Sequence, residues 1–273
     1  MDTRANKLNF RMQSHFSRIS DAYRAVRTTD VEPIFFIKEK LQESDGLVGA
    51  DIGCGAGRYD RLLLDHLPFS HLLCLDVNSD MVKQTQRFLC ESQVGGFGTS
   101  LSMSELLPVK NHSLDCAFSF NAVHHFVLEA FLREIGAALK ESGRLFLYTR
   151  LPEHNEESIW GKHFPGFIEK ETRLHGLENM KRAIEMQTDL DLEEVKGFRY
   201  LRVSSLEKLI SQVQKRHYST FSLYSPQELE DAVDKFKSNI LSTFSDPDYL
   251  EWTDGNAMLV LRRTHSNLQI IKD

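Results

Sequence analysis

The segment Asp51-Ile-Gly53-Cys-Gly55-Ala-Gly57-Arg58 has the residue types of a ligand-binding turn. Glycines at alternate positions let a backbone approach a bound molecule with no Cβ in the way. A helix that begins there offers free N–H groups to a polar or anionic ligand. Asp76 follows 19 residues after Gly57, at the end of the apolar run HLLCLDV (71–77). A carboxylate in that place can accept hydrogen bonds from both hydroxyls of a ribose. A glycine turn and a strand-end acid at this distance together point to a nucleoside ligand. The dinucleotide fingerprint would need a third glycine where Arg58 stands, so an NAD-dependent oxidoreductase is disfavoured. Asp51 adds negative charge at the turn, which suits a cationic amine or sulfonium better than a pyrophosphate.

The elements that must position these residues follow from hydrophobic periodicity. Apolar runs at 47–53, 71–77, 98–104, 113–120 and 144–150 read as strands. Amphipathic stretches at 57–67, 78–92 and 126–143 read as the helices between them. Asn78 or Ser79 is the expected cap of the second, and Gly143 the stop of the third. Strands that alternate with helices make βαβ units, hence an α/β chain with a parallel sheet covered on both faces. Ligands in such folds sit at the carboxyl ends of the strands. Helices are also expected at 14–28 and 32–43, forming an N-terminal helical arm over 1–45. The binding core is expected at 46–150. Residues 155–188 read as helix and loop, 196–205 and 257–265 as two further strands, and 206–216 and 226–243 as helices. The span 151–273 is therefore expected to complete the sheet, with a helical cap inserted at about 206–250.

Composition narrows the class. The chain has 273 residues, with 33 basic and 39 acidic side chains, for a net charge of −6. Phosphate neutralisation needs a basic field, so a general nucleic-acid binder is not expected. No apolar run reaches the ~18 residues of a membrane span, and the first residues lack the apolar core of a signal peptide. Cys54, Cys74, Cys90 and Cys116 form no CxxC pair, so neither a zinc site nor a dithiol pair is expected. A reducing, cytoplasmic location fits these cysteines, and no metal is expected.

Several segments in order resemble class I S-adenosylmethionine-dependent methyltransferases, nearest the broad type 11 group. ADIGCGAG resembles their first motif and LCLDVNSDMV their second. SELLPVKNHSLDCAFSFNAVHHF resembles the acid-x-Leu-Pro segment, strand and paired histidines of the group, and SGRLFLYTR fits their fifth strand. The resemblance covers about 45–150. It implies a Rossmann-like, doubly wound, seven-stranded, mostly parallel sheet whose last strand is antiparallel. It further implies S-adenosyl-L-methionine as cofactor. Asp51 and the backbone at Gly53, Gly55 and Gly57 would hold its methionine part, with Asn121 nearby. Asp76 would bind the ribose and Val77 would pack on the adenine, whose edge Met103 and Ser104 would flank. Many relatives carry an acid where Met103 stands, so here a backbone group or the Ser104 hydroxyl would have to serve.

The implied reaction is an in-line displacement onto a small-molecule acceptor. Methylation of tRNA or protein, or a nucleoside-binding regulatory protein without turnover, are the alternatives. His125 is the preferred base if one is used, and the bland reading of His124 and His125 is packing in the pocket wall. Trp160, His163 and Phe164 either line an acceptor pocket or pack a cap against the sheet. Arg150 either binds an acidic acceptor or forms a salt bridge. Tyr23 and Arg27 either close over the cofactor or face solvent.

Overall fold

The computed structural model describes residues 29–41 and 45–264. The helix expected at 14–28, with Tyr23 and Arg27, lies outside the described residues.

The chain runs α1 (Glu32–Leu41), β1 (Leu47–Ile52), α2 (Arg58–His66), β2 (Phe69–Asp76), α3 (Ser79–Glu91), β3 (Phe97–Leu101) and β4 (Leu114–Phe120). A single 3-10 turn (Val123–His125) leads into α4 (Leu128–Ala138) and β5 (Leu139–Thr149). Three short helices follow, α5 (Pro152–Glu157), α6 (Ile159–His163) and α7 (Phe167–Lys170), then α8 (Leu177–Glu185) and β6 (Leu190–Ser204). The chain continues through α9 (Leu206–Gln214), a second 3-10 turn (Ser219–Leu223), α10 (Pro226–Thr243) and β7 (Leu250–Arg263).

The seven strands form one sheet in the order β3-β2-β1-β4-β5-β7-β6. The first five are parallel; β7 runs antiparallel to both β5 and β6. This is the doubly wound sheet expected, with its last strand reversed. The strand order reverses beside β1, so the connections that leave β1 and β4 run to opposite sides and leave a crevice at the carboxyl ends of the two strands. Two apolar cores flank the sheet. One joins Ile34, Leu63 and Leu89 of α1, α2 and α3 to Phe118 and Phe146. The other joins Phe131, Leu132 and Ile135 of α4 and Met180 of α8 to Ala117 and Leu145. Each fully buried Leu or Phe contributes roughly 1.5–3 kcal/mol to holding these layers together. Among the described residues, no helix is long and apolar enough to cross a membrane.

The caps follow local chemistry. The Asn78 side chain accepts from the N–H groups of Asp80 and Met81 at 3.0 and 3.1 Å, starting α3. Ser225 and Glu228 form a reciprocal capping box at the start of α10, with Pro226 in its first turn. Gly143, however, does not end α4. The helix stops at Ala138, where the N–H groups of His112 and Ser113 take the carbonyls of Ala137 and Ala138. Gly143 lies instead within a bulge of β5, where a Cβ would stand 2.9 Å from the Lys140 carbonyl and 3.1 Å from that of Leu114. Strand β6 begins at Leu190, six residues before the expected start, and pairs with β7 along its length. Its early acids are neutralised from neighbouring elements: Glu193 by Arg144 at 2.8 Å and Glu194 by Lys40.

A third apolar cluster lies outside the sheet's two cores. It joins Ile159, Trp160, Phe164 and Phe167 to Leu209, Val213, Phe221, Phe236 and Ile240. The helical unit thus draws on α6 and α7 as well as on the 206–250 segment, because the two stretches share one aromatic core. Trp160 is its centre, stacked on Phe236 at 5.3 Å and edge-on to Phe221 at 5.3 Å.

Candidate functional site

Strand β1 ends at Ile52, and the glycine turn carries the chain from there into α2. The N–H groups of Gly53 and Cys54 both donate to the Leu75 carbonyl, at 2.8 and 2.9 Å, tying the turn to β2. Asp76, the last residue of β2, accepts from the Gly55 N–H at 3.0 Å and from the Asn78 N–H at 2.8 Å. Thr85 on α3 donates to the Gly55 carbonyl at 2.6 Å. Gly53, Gly55 and Gly57 all have positive φ, at 78°, 58° and 79°. At Gly53 a Cβ would stand 2.5 Å from the Ala122 Cβ, so the glycine also lets the 3-10 turn pack against the site. At Gly57 it would meet Thr85 at 3.1 Å, so that glycine seats α2 against α3.

The turn opens onto a cavity of about 390 Å³. Its wall includes Gly53, Gly55, Asp76, Val77, Met103, Ser104, Asn121 and His125, eight of the residues singled out in the sequence. Val77 and Met103 are apolar and about half exposed, at 49% and 57%, forming a lip that a flat ring could cover. Ser104 is buried and donates to Glu105 Oε1 at 2.9 Å, and the same oxygen accepts from the Val127 N–H at 2.9 Å. Glu105 also lines the cavity; its signal was the acid of the SELLP segment.

Asp51 and Gly57 are not in this wall. Asp51 is buried behind the turn, beside the equally buried Asp60 of α2. Burial raises both carboxyls above their usual range, and the Asp60 charge pushes Asp51 up further. Folded-state carboxyls raised this way bind protons that the unfolded chain releases, so the Asp60 contribution to stability falls as pH rises from the ordinary carboxyl range to about 7. Asp60→Asn is expected to remove its share of that slope and leave only the part due to buried Asp51. Its melting temperature should exceed that of the wild type by about 3–6 °C at pH 8 and by little at pH 5. A melting-temperature difference that stays constant across that range would contradict the raised Asp60 carboxyl.

The 3-10 turn after β4 separates the two histidines. His125 faces the cofactor-sized cavity, whereas His124 faces a second cavity of about 160 Å³ between the sheet and the helical cluster. Their rings stay 4.1 Å apart. Asn121 lines both cavities. It holds φ 54°, and its N–H donates to the Tyr148 carbonyl at 2.7 Å, locking the seam between β4 and β5. Asparagine is among the few residues that adopt this conformation readily.

The second cavity is lined by Trp160 and Arg150, and also by Arg58, Arg202, Trp252 and Asp254, which sequence reasoning did not single out as site residues. Trp160 both lines this cavity and packs the aromatic cluster. Phe164 is buried in that cluster, and His163 lies against Phe244. Arg150 forms a salt bridge with Asp254 at 3.0 Å and lies over the Tyr218 ring, 5.3 Å from its centroid.

The cradle fits a nucleoside with a cationic sulfonium. A carboxylate stands at the carboxyl end of β2 with further lone pairs to offer, and apolar side chains form an open lip.

Comparisons with known proteins agree. Residues 50–147 match the model of the type 11 methyltransferase family, described as a methyltransferase domain. No curated protein matches the sequence. Among solved structures, the chain is similar to BH2331 of Bacillus halodurans C-125, at 14% identity and a TM-score of 0.62, covering 87% of this chain and 100% of that one. It is similar to geranyl diphosphate C-methyltransferase of Streptomyces coelicolor, at 12% identity and a TM-score of 0.53, covering 85% and 78%. The cyclase SpnF is a further neighbour, at 15% identity and a TM-score of 0.55, covering 91% and 81%. At these identities the structural likeness shows the fold alone. The methyltransferase-domain match over 50–147, joined to that fold, supports an S-adenosylmethionine-dependent methyltransferase.

Proposed function

We propose that this enzyme methylates a small-molecule acceptor held in the cavity beneath the helical cap. The observation that carries the reading is the meeting of two cavities at Asn121, one beside the glycine turn and one under the cap. Residues 46–150 would bind the cofactor. Residues 151–273 would complete the sheet and form the cap, and 1–45 would form an arm at the amino end.

In this reading Asp76 accepts from the ribose hydroxyls. Val77 would pack on the adenine, and Met103 and Ser104 would flank its edge. The backbone at Gly53 and Gly55 and the Asn121 side chain would hold the methionine end, while Gly57 and the Asp51–Asp60 pair would shape the turn from behind. S-adenosylmethionine supplies a methyl group already activated on a sulfonium, so the displacement itself needs no acid. The protein's part is alignment and exclusion of water. Asn121 fixes the seam across which donor and acceptor face each other. His124, rather than His125, is placed to take a proton from the acceptor, because only His124 lines the cap cavity.

A net charge of −6 supports a small acceptor over tRNA. The four free cysteines, three of them buried, fit a reducing cytoplasm. The test is transfer from methyl-labelled S-adenosylmethionine to separated small-molecule, tRNA and protein fractions of a cell extract. Label is expected in the small-molecule fraction. Label in tRNA or protein alone would favour a macromolecular acceptor. With the acceptor in hand, His124→Asn should lower turnover about a hundredfold or more without changing cofactor affinity, as loss of a general base does. Full turnover would leave His124 a packing residue.

A further inference from the structure

The cap cavity carries a chemical preference of its own. Arg150 follows directly on β5, and its side chain is only 10% exposed. Its Nη2 meets Asp254, but its Nη1 is buried with no hydrogen-bond acceptor. Trp252 stands two residues before Asp254 on β7, so both side chains leave the same face of the strand. Its indole Nε1 is likewise buried without an acceptor. Both residues line the cap cavity.

Guanidinium and indole N–H groups can only donate. A buried donor without an acceptor is destabilising, by about 1–3 kcal/mol. A molecule that relieves both must bring acceptor lone pairs. The local charge says of which kind. Asp254 is shared by two guanidinium groups, Arg150 at 3.0 Å and Arg202 at 3.8 Å, and Arg202 also meets Asp30 at 2.8 Å. Arg58 and Lys208 add positive charge to the wall, whereas Glu171 is taken up by Arg173. The cavity is thus cationic in a chain that is acidic as a whole. The remaining wall is aromatic, with Trp160, Phe167 and Tyr218, and the space is about 160 Å³.

Resting on the reading of this cavity as the acceptor site, we propose that the acceptor is a small carboxylic acid. Its carboxylate takes the free N–H groups of Arg150 and Trp252, and its alkyl or aromatic body lies against Trp160 and Tyr218. Arg150 is then a specificity-determining residue. Its place beyond β5 sets the carboxylate next to the Asn121 seam, so the group to be methylated is carried elsewhere on the same small molecule.

The test is calorimetric titration of the full chain with acetate, isobutyrate and benzoate, each paired with its neutral amide. Each titration is run with and without saturating S-adenosylhomocysteine. At least one acid should bind about tenfold or more tighter than its amide, as expected for a charge-assisted hydrogen bond in a buried site. Arg150→Gln should abolish that preference and leave S-adenosylhomocysteine affinity unchanged. If Arg150→Gln fails to fold because Asp254 loses a partner, the double variant Arg150→Gln/Asp254→Asn serves in its place. Trp252→Phe should weaken the acid by several fold and leave the amide alone.

Equal binding of acids and amides would mean that water satisfies the two donors, and would overturn the proposal. So would a preference that survives Arg150→Gln, or tighter binding of inorganic phosphate than of every acid. Failure of S-adenosylhomocysteine to bind would instead count against the methyl-transfer reading, and the titrations without it would still decide the acid preference.

Discussion

Asp76→Ala is expected to weaken S-adenosylmethionine binding by about two orders of magnitude while the protein still folds. Two charge-assisted hydrogen bonds to the ribose would be lost, each worth roughly 1.5–3 kcal/mol, with solvent recovering part of the sum. A second loss adds to the first. The Asp76 carboxylate also holds the N–H groups of Gly55 and Asn78, so its removal loosens the glycine turn that shapes the cavity. Burial raises the Asp76 carboxyl, an effect opposed by the N–H groups of Asn78 and Gly55. Asp76→Asn separates the two contributions, because the amide oxygen can still accept one of those bonds while the charge is gone. Its affinity should fall between wild type and alanine. Calorimetric dissociation constants, with melting temperatures as the folding control, read the result. An alanine variant that binds within threefold of wild type would remove the ribose assignment.

Trp160→Ala is expected to loosen the cap and leave the cofactor cavity intact. Trp160 is 2% exposed and packs on Phe236, Phe221, Phe164 and Phe167. Deleting an indole from such a cluster costs about 3–5 kcal/mol, enough to lower the melting temperature by about 10 °C. None of the aromatic cluster lines the cofactor cavity, so S-adenosylhomocysteine should bind almost as well as before. Turnover should collapse, because Trp160 also forms part of the cap-cavity wall. Equal stability, or a parallel loss of cofactor affinity, would show that cap and core do not divide as described.

Local signals were legible in the sequence and long-range ones were not. The glycine turn and Asp76 could be read directly, because a turn, a cap and a strand end depend on neighbours in the chain. The alternation of elements up to residue 150 gave the parallel part of the sheet for the same reason. Gly143 misled because a glycine after an amphipathic run is a common helix stop, whereas here the carbonyls of α4 are taken by His112 and Ser113. The start of β6 was hidden by Asp191, Glu193 and Glu194, which read as loop until Arg144 and Lys40 supply their partners. His124 and His125 are neighbours in sequence, and only the 3-10 turn shows that they face different cavities. The cap cavity was the least legible feature. Arg150, Arg202 and Asp254 come together only because β7 inserts between β5 and β6, a placement no local pattern carries.

The fold also hosts other chemistry, as the likeness to the cyclase SpnF illustrates. The family match and the details of the cradle, rather than the fold, carry the assignment of methyl transfer.

The most direct test of the central claim is calorimetric titration of the purified chain with S-adenosylmethionine, S-adenosylhomocysteine and NAD. Micromolar binding of the first two, with no heat from NAD, is the expected result. Binding of NAD alone, or silence from all three, would contradict it.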